Sequence, residues 1–141
     1  MPLGRYTNPN IVNKENLQVV SKTLQSTKIK ISCRDFISII KDAKKGDFVY
    51  FDPPYQPVSD TANFTSYPHR DFTEDDLERL ADLANQLNSK GCNVMLSNSN
   101  SKTVKKLFSS VWKIKEIKAN RAINSNSQKR TGHKEIIIKN Y

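Results

Sequence analysis

The chain has 141 residues, 36% of them hydrophobic, and a formal net charge of +9. That length supports one domain with a real core, and no apolar stretch or leader-like opening suggests a membrane span or a signal peptide, so a cytoplasmic location is expected. Two cysteines, Cys33 and Cys92, give neither a metal cage nor a disulfide framework; both read as reduced core residues, and no metal is expected. In chain order, residues 1–13 are loop-like, rich in Pro, Gly and Asn. Leu17, Val20 and Leu24 then share one face of a helix over Lys14–Gln25. Lys28–Ser32 alternates Ile29 and Ile31 and reads as a short strand. Asp35 can cap a helix bearing Phe36, Ile39, Ile40 and Ala43, which Lys44-Lys45-Gly46 ends.

The run Phe48–Phe51 reads as a strand buried on both faces. Residues 56–72 show no period and hold Phe64, Tyr67 and Phe72 among polar residues; so long a loop is functional or mobile. Thr73–Lys90 is the clearest helix, with Asp76 completing a cap and Leu77, Leu80, Ala81, Ala84 and Leu87 facing inward. Asn93–Leu96 is a second apolar strand, followed by the polar run Ser97-Asn98-Ser99-Asn100. A short helix over Ser101–Ser110 and two closing strands, Trp112–Lys118 and Glu135–Asn140, flank a polar loop over residues 119–134. Strands alternating with helices point to an α/β fold with a doubly wound sheet.

The most informative stretch is Asp52-Pro53-Pro54-Tyr55, at the carboxyl end of the Phe48–Phe51 strand. Two prolines cannot continue a ladder, so the strand stops and presents a carboxylate, a rigid backbone and an aromatic ring at the edge where open α/β sheets bind ligands. This tetrapeptide is the signature of enzymes that methylate an exocyclic amino nitrogen, most often that of adenine in DNA. Such a nitrogen is a poor nucleophile because its lone pair is delocalised into the ring. Asp52 and the Pro53 carbonyl can accept its two hydrogens, Pro53 and Pro54 fix their angle, and Tyr55 can stack on the base. Catalysis is then mostly positioning. Asp52 favours adenine over cytosine, where serine is usual. The plain alternative is a strand end followed by a Pro-Pro turn.

Ten Lys or Arg lie between Lys102 and Lys134 against a single acid, Glu116, while acids cluster between Asp71 and Asp82. This sorting suggests a surface that meets phosphates; a solvated lysine-rich face is the alternative.

Several spaced segments carry a resemblance: Pro2-Leu3-Gly4-Arg5-Tyr6, Asp35-Phe36, Gly46–Tyr55, Phe64-Thr65-Ser66-Tyr67 and Val94–Ser99. In this order they resemble the catalytic half of the Dam-type DNA adenine-N6 methyltransferases, over essentially the whole chain. The resemblance implies S-adenosylmethionine as methyl donor, duplex DNA as partner, a flipped target base, and GATC as recognition sequence. It makes Asp35 the acceptor for the donor's adenine amino group, with Phe36 nearby. Asp52, Pro53, Pro54 and Tyr55 become the catalytic grip, with Asp52 also close to the donor's methionine end. Phe64, Thr65, Ser66 and Tyr67 would shape the target-base side, and Arg121, Lys129 and Arg130 would approach the DNA backbone. Asp35 as a plain helix cap, Arg121 as a solvated loop residue, and Phe64 and Tyr67 as the small core of their own loop stay open.

The family's opening strand and glycine-rich turn, which cradle the methionine part of the donor, are not in this sequence: its four glycines are all far apart. The implied sheet order is 3-2-1-4-5-7-6, of which this chain is expected to supply strands 3 to 7 of a partial Rossmann-like sheet lacking strands 1 and 2. Residues 1–13 read as a remnant of the target-recognition region, and Met1 as a cut. A separate N-terminal half, or a non-catalytic nucleic-acid-binding remnant, are the readings that follow. An amino-methyltransferase for cytosine or RNA is the enzymatic alternative.

Overall fold

Thr73 sets the start of the longest helix, α3 (Glu74–Ser89): its hydroxyl accepts from the Asp76 amide and the Asp76 carboxylate accepts from the Thr73 amide, each at 3.2 Å. That reciprocal box satisfies two amides that a helix start would leave orphaned. The helix ends at Gly91, whose φ of +81° is open to glycine. There the Cys92 amide bonds to the Leu87 carbonyl (3.0 Å) and the Gly91 amide to that of Asn88 (2.9 Å), the paired bonds of a Schellman ending.

The computed structural model describes residues 12–56, 72–108, 111–119 and 133–141. They fall into two units, Met1–Arg34 and Asp35–Tyr141. The first holds α1 (Lys14–Leu24), capped by the Asn13 side chain on the Asn16 amide at 3.1 Å. Its expected face of Leu17, Val20 and Leu24 forms, and no α1 residue is buried. Residues 28–32 do not form the expected strand; Ile29 and Ile31 are exposed, because alternation alone cannot hold an extended segment without a ladder partner. Cys33 is exposed, against expectation, while Cys92 is buried.

The second unit contains a 3₁₀ turn (Phe36–Ser38) leading into α2 (Ile39–Asp42), then β1 (Phe48–Phe51), α3, β2 (Asn93–Ser99), α4 (Lys102–Leu107), β3 (Lys113–Ala119) and β4 (His133–Lys139). Sheet order is β1-β2-β4-β3, with β1 parallel to β2 and the other pairs antiparallel. This is the 4-5-7-6 portion of the expected order, in an α/β fold.

Leu77, Leu80, Ala81, Leu83, Ala84 and Leu87 of α3 all bury, as their helical spacing requires. They share a core with Val94 and Leu96 of β2, Ile136 and Ile138 of β4, and Val104 and Phe108 of the α4 segment. The Phe108 ring meets Trp112 edge-on, centroids 5.5 Å apart, and the Trp112 indole N–H donates to Asn85 at 2.9 Å.

Two strands depart from the sequence reading. β1 is buried on one face only: Val49 and Phe51 pack on the core, while Phe48 and Tyr50 stay 58% and 51% exposed. A continuous apolar run is buried twice only where both faces are covered, and within this unit the far face of β1 is open. β2 runs three residues past the expected end, because Ser97, Asn98 and Ser99 pair with Ile137, Ile136 and Glu135 of β4.

At Gly91 an added Cβ lies 3.0 Å from Cγ of Lys45, at a φ that L-residues rarely adopt. Gly91→Ala is therefore expected to cost about 1–2 kcal/mol, read as a lower urea midpoint with an unchanged slope. A midpoint equal to the parent's would show that the turn relaxes freely.

Candidate active site

The Asp52–Gln56 turn emerges where β1 stops. In the parallel register Phe51 lies beside Leu96, so Asp52 arrives next to Ser97. The Ser97 hydroxyl donates to Asp52 Oδ1 at 2.7 Å and accepts from the Tyr50 hydroxyl at 2.9 Å. At the other end of the turn the Gln56 amide donates to Asn98 Oδ1 at 3.1 Å. Asp52, Pro53, Pro54 and Tyr55 line one open cleft of about 570 Å³ together with Glu135, near the start of β4.

The Tyr55 hydroxyl points to Glu135 Oε2, 3.5 Å away. Its pKa is raised, first by burial and then by the negative charges of Glu135 and Asp52, with a hydrogen bond to Ser97 working against them. The ring is thus a neutral phenol, with a flat face and no charge to repel an aromatic base. The four predicted catalytic residues therefore share one cleft.

Asp35 and Phe36 lie in a separate cluster. Asp35 Oδ1 accepts from the Ile37 amide at 2.9 Å, capping the 3₁₀ turn, and Oδ2 accepts from Arg79 at 2.9 Å. Arg79 also bonds Asp76 at 2.8 Å and lies over the Phe36 ring, 5.2 Å from its centroid. Phe72 packs at a tilt on Phe36. The Ile37 amide, then Arg79, lower the Asp35 pKa; partial desolvation and, less, Asp76 oppose them. The helix-cap role open in the sequence is realised. Each oxygen has one donor and the side chain is still 56% exposed, so this acceptor-only carboxylate retains lone pairs that suit an exocyclic amino group.

The remaining predicted residues, Phe64, Thr65, Ser66, Tyr67, Arg121, Lys129 and Arg130, lie outside the described residues. Part of the basic run is engaged within the chain: Lys105 and Lys134 pair with Glu116 at 3.0 and 3.5 Å. Lys105, then Asn100, are the main causes that bring the Glu116 pKa down to about 2.

Sequence reasoning assigned no role to Tyr50, Ser97, Asn98, Glu135 or Arg79. The available signals were the polar run 97–100 following an apolar strand, at the height where a parallel neighbour ends in Asp52, and the place of Tyr50, Ser97 and Asn98 within the resembling segments Gly46–Tyr55 and Val94–Ser99.

Comparison with known proteins decides the family. Residues 1–123 match the family model of D12 class N6 adenine-specific DNA methyltransferases. This chain belongs to that family. It is 47% identical, over all of its length and 49% of the relative's, to the Type II methyltransferase M1.LlaDCHI of Lactococcus lactis subsp. cremoris. It is 43% identical to the Type II methyltransferase M.MjaIII of Methanocaldococcus jannaschii, covering all of this chain and 48% of that protein. A DNA adenine methylase of Vibrio cholerae is 33% identical over 97% of this chain and 48% of its own. The chain thus spans about half the length of the curated relatives it matches.

Removing the guanidinium in Arg79→Ala should raise the Asp35 pKa only part of the way to 3.8, since the Ile37 amide, the larger cause, stays. Carboxyl titration by NMR reads this directly. The sign follows: the pairing stabilises above the ordinary carboxylate pKa and is lost as pH falls through the lowered one. A full return to 3.8 would mean that Arg79 does the holding.

Proposed function

We propose that this chain is the catalytic part of a DNA adenine-N6 methyltransferase, transferring methyl from S-adenosylmethionine to the amino group of an adenine flipped out of the duplex. The observation that carries the reading is the Asp52 carboxylate, fixed by Ser97 beside Pro53, Pro54 and Tyr55 at the lip of an open cleft. Family membership supplies the reaction class, and a base inside a duplex must leave the stack to reach such a cleft.

With one Asp52 oxygen held by Ser97, the other accepts one amino hydrogen of the target base and the Pro53 carbonyl accepts the second. The nitrogen lone pair is thereby drawn out of conjugation. Tyr55 stacks on the base as a neutral ring. S-adenosylmethionine, when bound, would supply a methyl on a sulfonium, transferred by direct displacement with the C–S electron pair returning to sulfur. The proton lost from the amino nitrogen would pass to the Asp52 carboxylate that holds it and from there to solvent. Asp35 holds the amino group of the donor's adenine near Phe36, Phe64–Tyr67 shape the target-base side, and Arg121, Lys129 and Arg130 meet phosphates.

In this reading residues 1–13 belong to the target-recognition region, and the glycine-rich pocket for the methionine part is supplied from outside these 141 residues. Among the described residues β1 is an edge strand of the sheet with Phe48 and Tyr50 exposed, which suits a further portion packing against it. An assay of tritiated methyl transfer to duplex DNA, GATC-containing first, with and without the matching half from a relative, tests it. Turnover is expected only for the pair, and Asp52→Ala should abolish it with folding intact; appreciable turnover by Asp52→Ala would refute the role. Lys129→Gln with Arg130→Gln should flatten the salt dependence of DNA binding, with a log–log slope smaller by about one to two. An unchanged slope would remove that loop from the phosphates.

A further inference from the structure

We propose that Ser97 and Asn98, adjacent on β2, are positioning residues that clamp the Asp52–Gln56 turn at both ends. This rests on the methyltransferase reading and names the residues that hold its grip in shape. Pro53 and Pro54 have no N–H, so the turn cannot be tied down at those two residues by donating backbone hydrogen bonds. Its two end residues offer a carboxylate and an amide, and β2 engages both: Asp52 Oδ1 through Ser97 at 2.7 Å and the Gln56 amide through Asn98 at 3.1 Å.

Strand alternation makes the pair effective. Successive side chains point to opposite faces, so Ser97 reaches the turn from the open side of the sheet and Asn98 from the core side. Both are buried, Ser97 to 4% and Asn98 to 0% exposure, so neither can swing away without repacking. The proton inventory fixes the direction of each bond. A carboxylate only accepts, so the Ser97 hydrogen goes to Asp52, and the hydroxyls that meet Ser97, Tyr50 at 2.9 Å first among them, must donate to it. Tyr50 thereby locks the Ser97 rotor, and the second Asp52 oxygen is left for a ligand.

Asn98 is more unusual. Its Oδ1 accepts from two amides, Gln56 at 3.1 Å and Ser99 at 2.7 Å, while its Nδ2 is buried without a hydrogen-bond partner among the described residues. An orphaned buried amide N–H₂ is costly, and an apolar residue would serve a core better. An asparagine fits where an acceptor has to reach the backbone of a turn that packing cannot hold.

Two arms test the clamp on the full chain. Without any turnover, Ser97→Ala should shift the Asp52 carboxyl ¹³C resonance, Ser97→Thr should restore it, and Asn98→Ala should speed Gln56 amide exchange about tenfold or more. In the methyl-transfer assay of the paired enzyme, Ser97→Ala should lower kcat roughly ten- to a hundredfold with the KM for DNA little changed, and Ser97→Thr should recover most of it. Tyr50→Phe, at a half-exposed position, should show the same pattern in smaller degree and secures the test if Asn98→Ala fails to fold. An unmoved Asp52 resonance and Gln56 exchange rate, or a Ser97→Ala kcat equal to the parent's while Asp52→Ala is dead, would overturn the clamp. Turnover by Asp52→Ala would instead sink the catalytic reading, leaving the resonance and exchange results to decide the clamp.

Discussion

Everything at the candidate site depends on the parallel pairing of β1 with β2. That register, Phe51 beside Leu96, brings Asp52 level with Ser97 and Gln56 within reach of Asn98. Parallel neighbours need a crossover, and α3 supplies it while burying one face of the sheet. A slip of one residue would turn Ser97 toward the core and Asn98 toward the open face, and both bonds would be lost together. The site is therefore only as well placed as α3 is packed.

Side chains from the chain's end reinforce that packing. Asn140, just past β4, accepts from the Val94 amide at 2.8 Å and donates to the Asn88 side chain at 2.7 Å and the Cys92 carbonyl at 2.9 Å. One amide thus ties the end of α3, the start of β2 and the end of β4. Lys90 adds a tie from α3 to the carbonyls of Ile40 and Ala43 at the end of α2. These polar bonds gather at the edge of the core opposite the cleft, and leave the cleft end of β1 and β2 to the Ser97 and Asn98 contacts.

Charge is handled differently at the two ends of the unit. Asp35, Arg79 and Asp76 form a chain with Phe36 beneath the guanidinium, so the carboxylate stays ionised and ordered while part of it faces water. Glu116 sits between Lys105 and Lys134 on exposed strand surface, where ion pairs are screened and contribute little. The first arrangement restricts a carboxylate's geometry; the second mainly neutralises two cations of the basic run.

By itself the amino-acid sequence determined the α3 helix, the α/β class and the Asp52–Tyr55 turn. These follow from local rules: Thr73 with Asp76 and Gly91 bound α3 by short-range hydrogen bonds, and two prolines end β1 whatever surrounds them. The order of the four strands was implied by the family resemblance, since no local rule sets which strands lie side by side. Tertiary structure alone decided whether an apolar run is buried on one face or two, as in β1, and whether alternation becomes a strand, as residues 28–32 did not. It also decided which side chains reach the Asp52–Gln56 turn. Ser97, Asn98 and Glu135 lie some forty to eighty residues from the turn they meet. Contacts at that separation exist only once β2 and β4 have paired, because register is set by the packing of a whole sheet face and leaves no mark on any single residue.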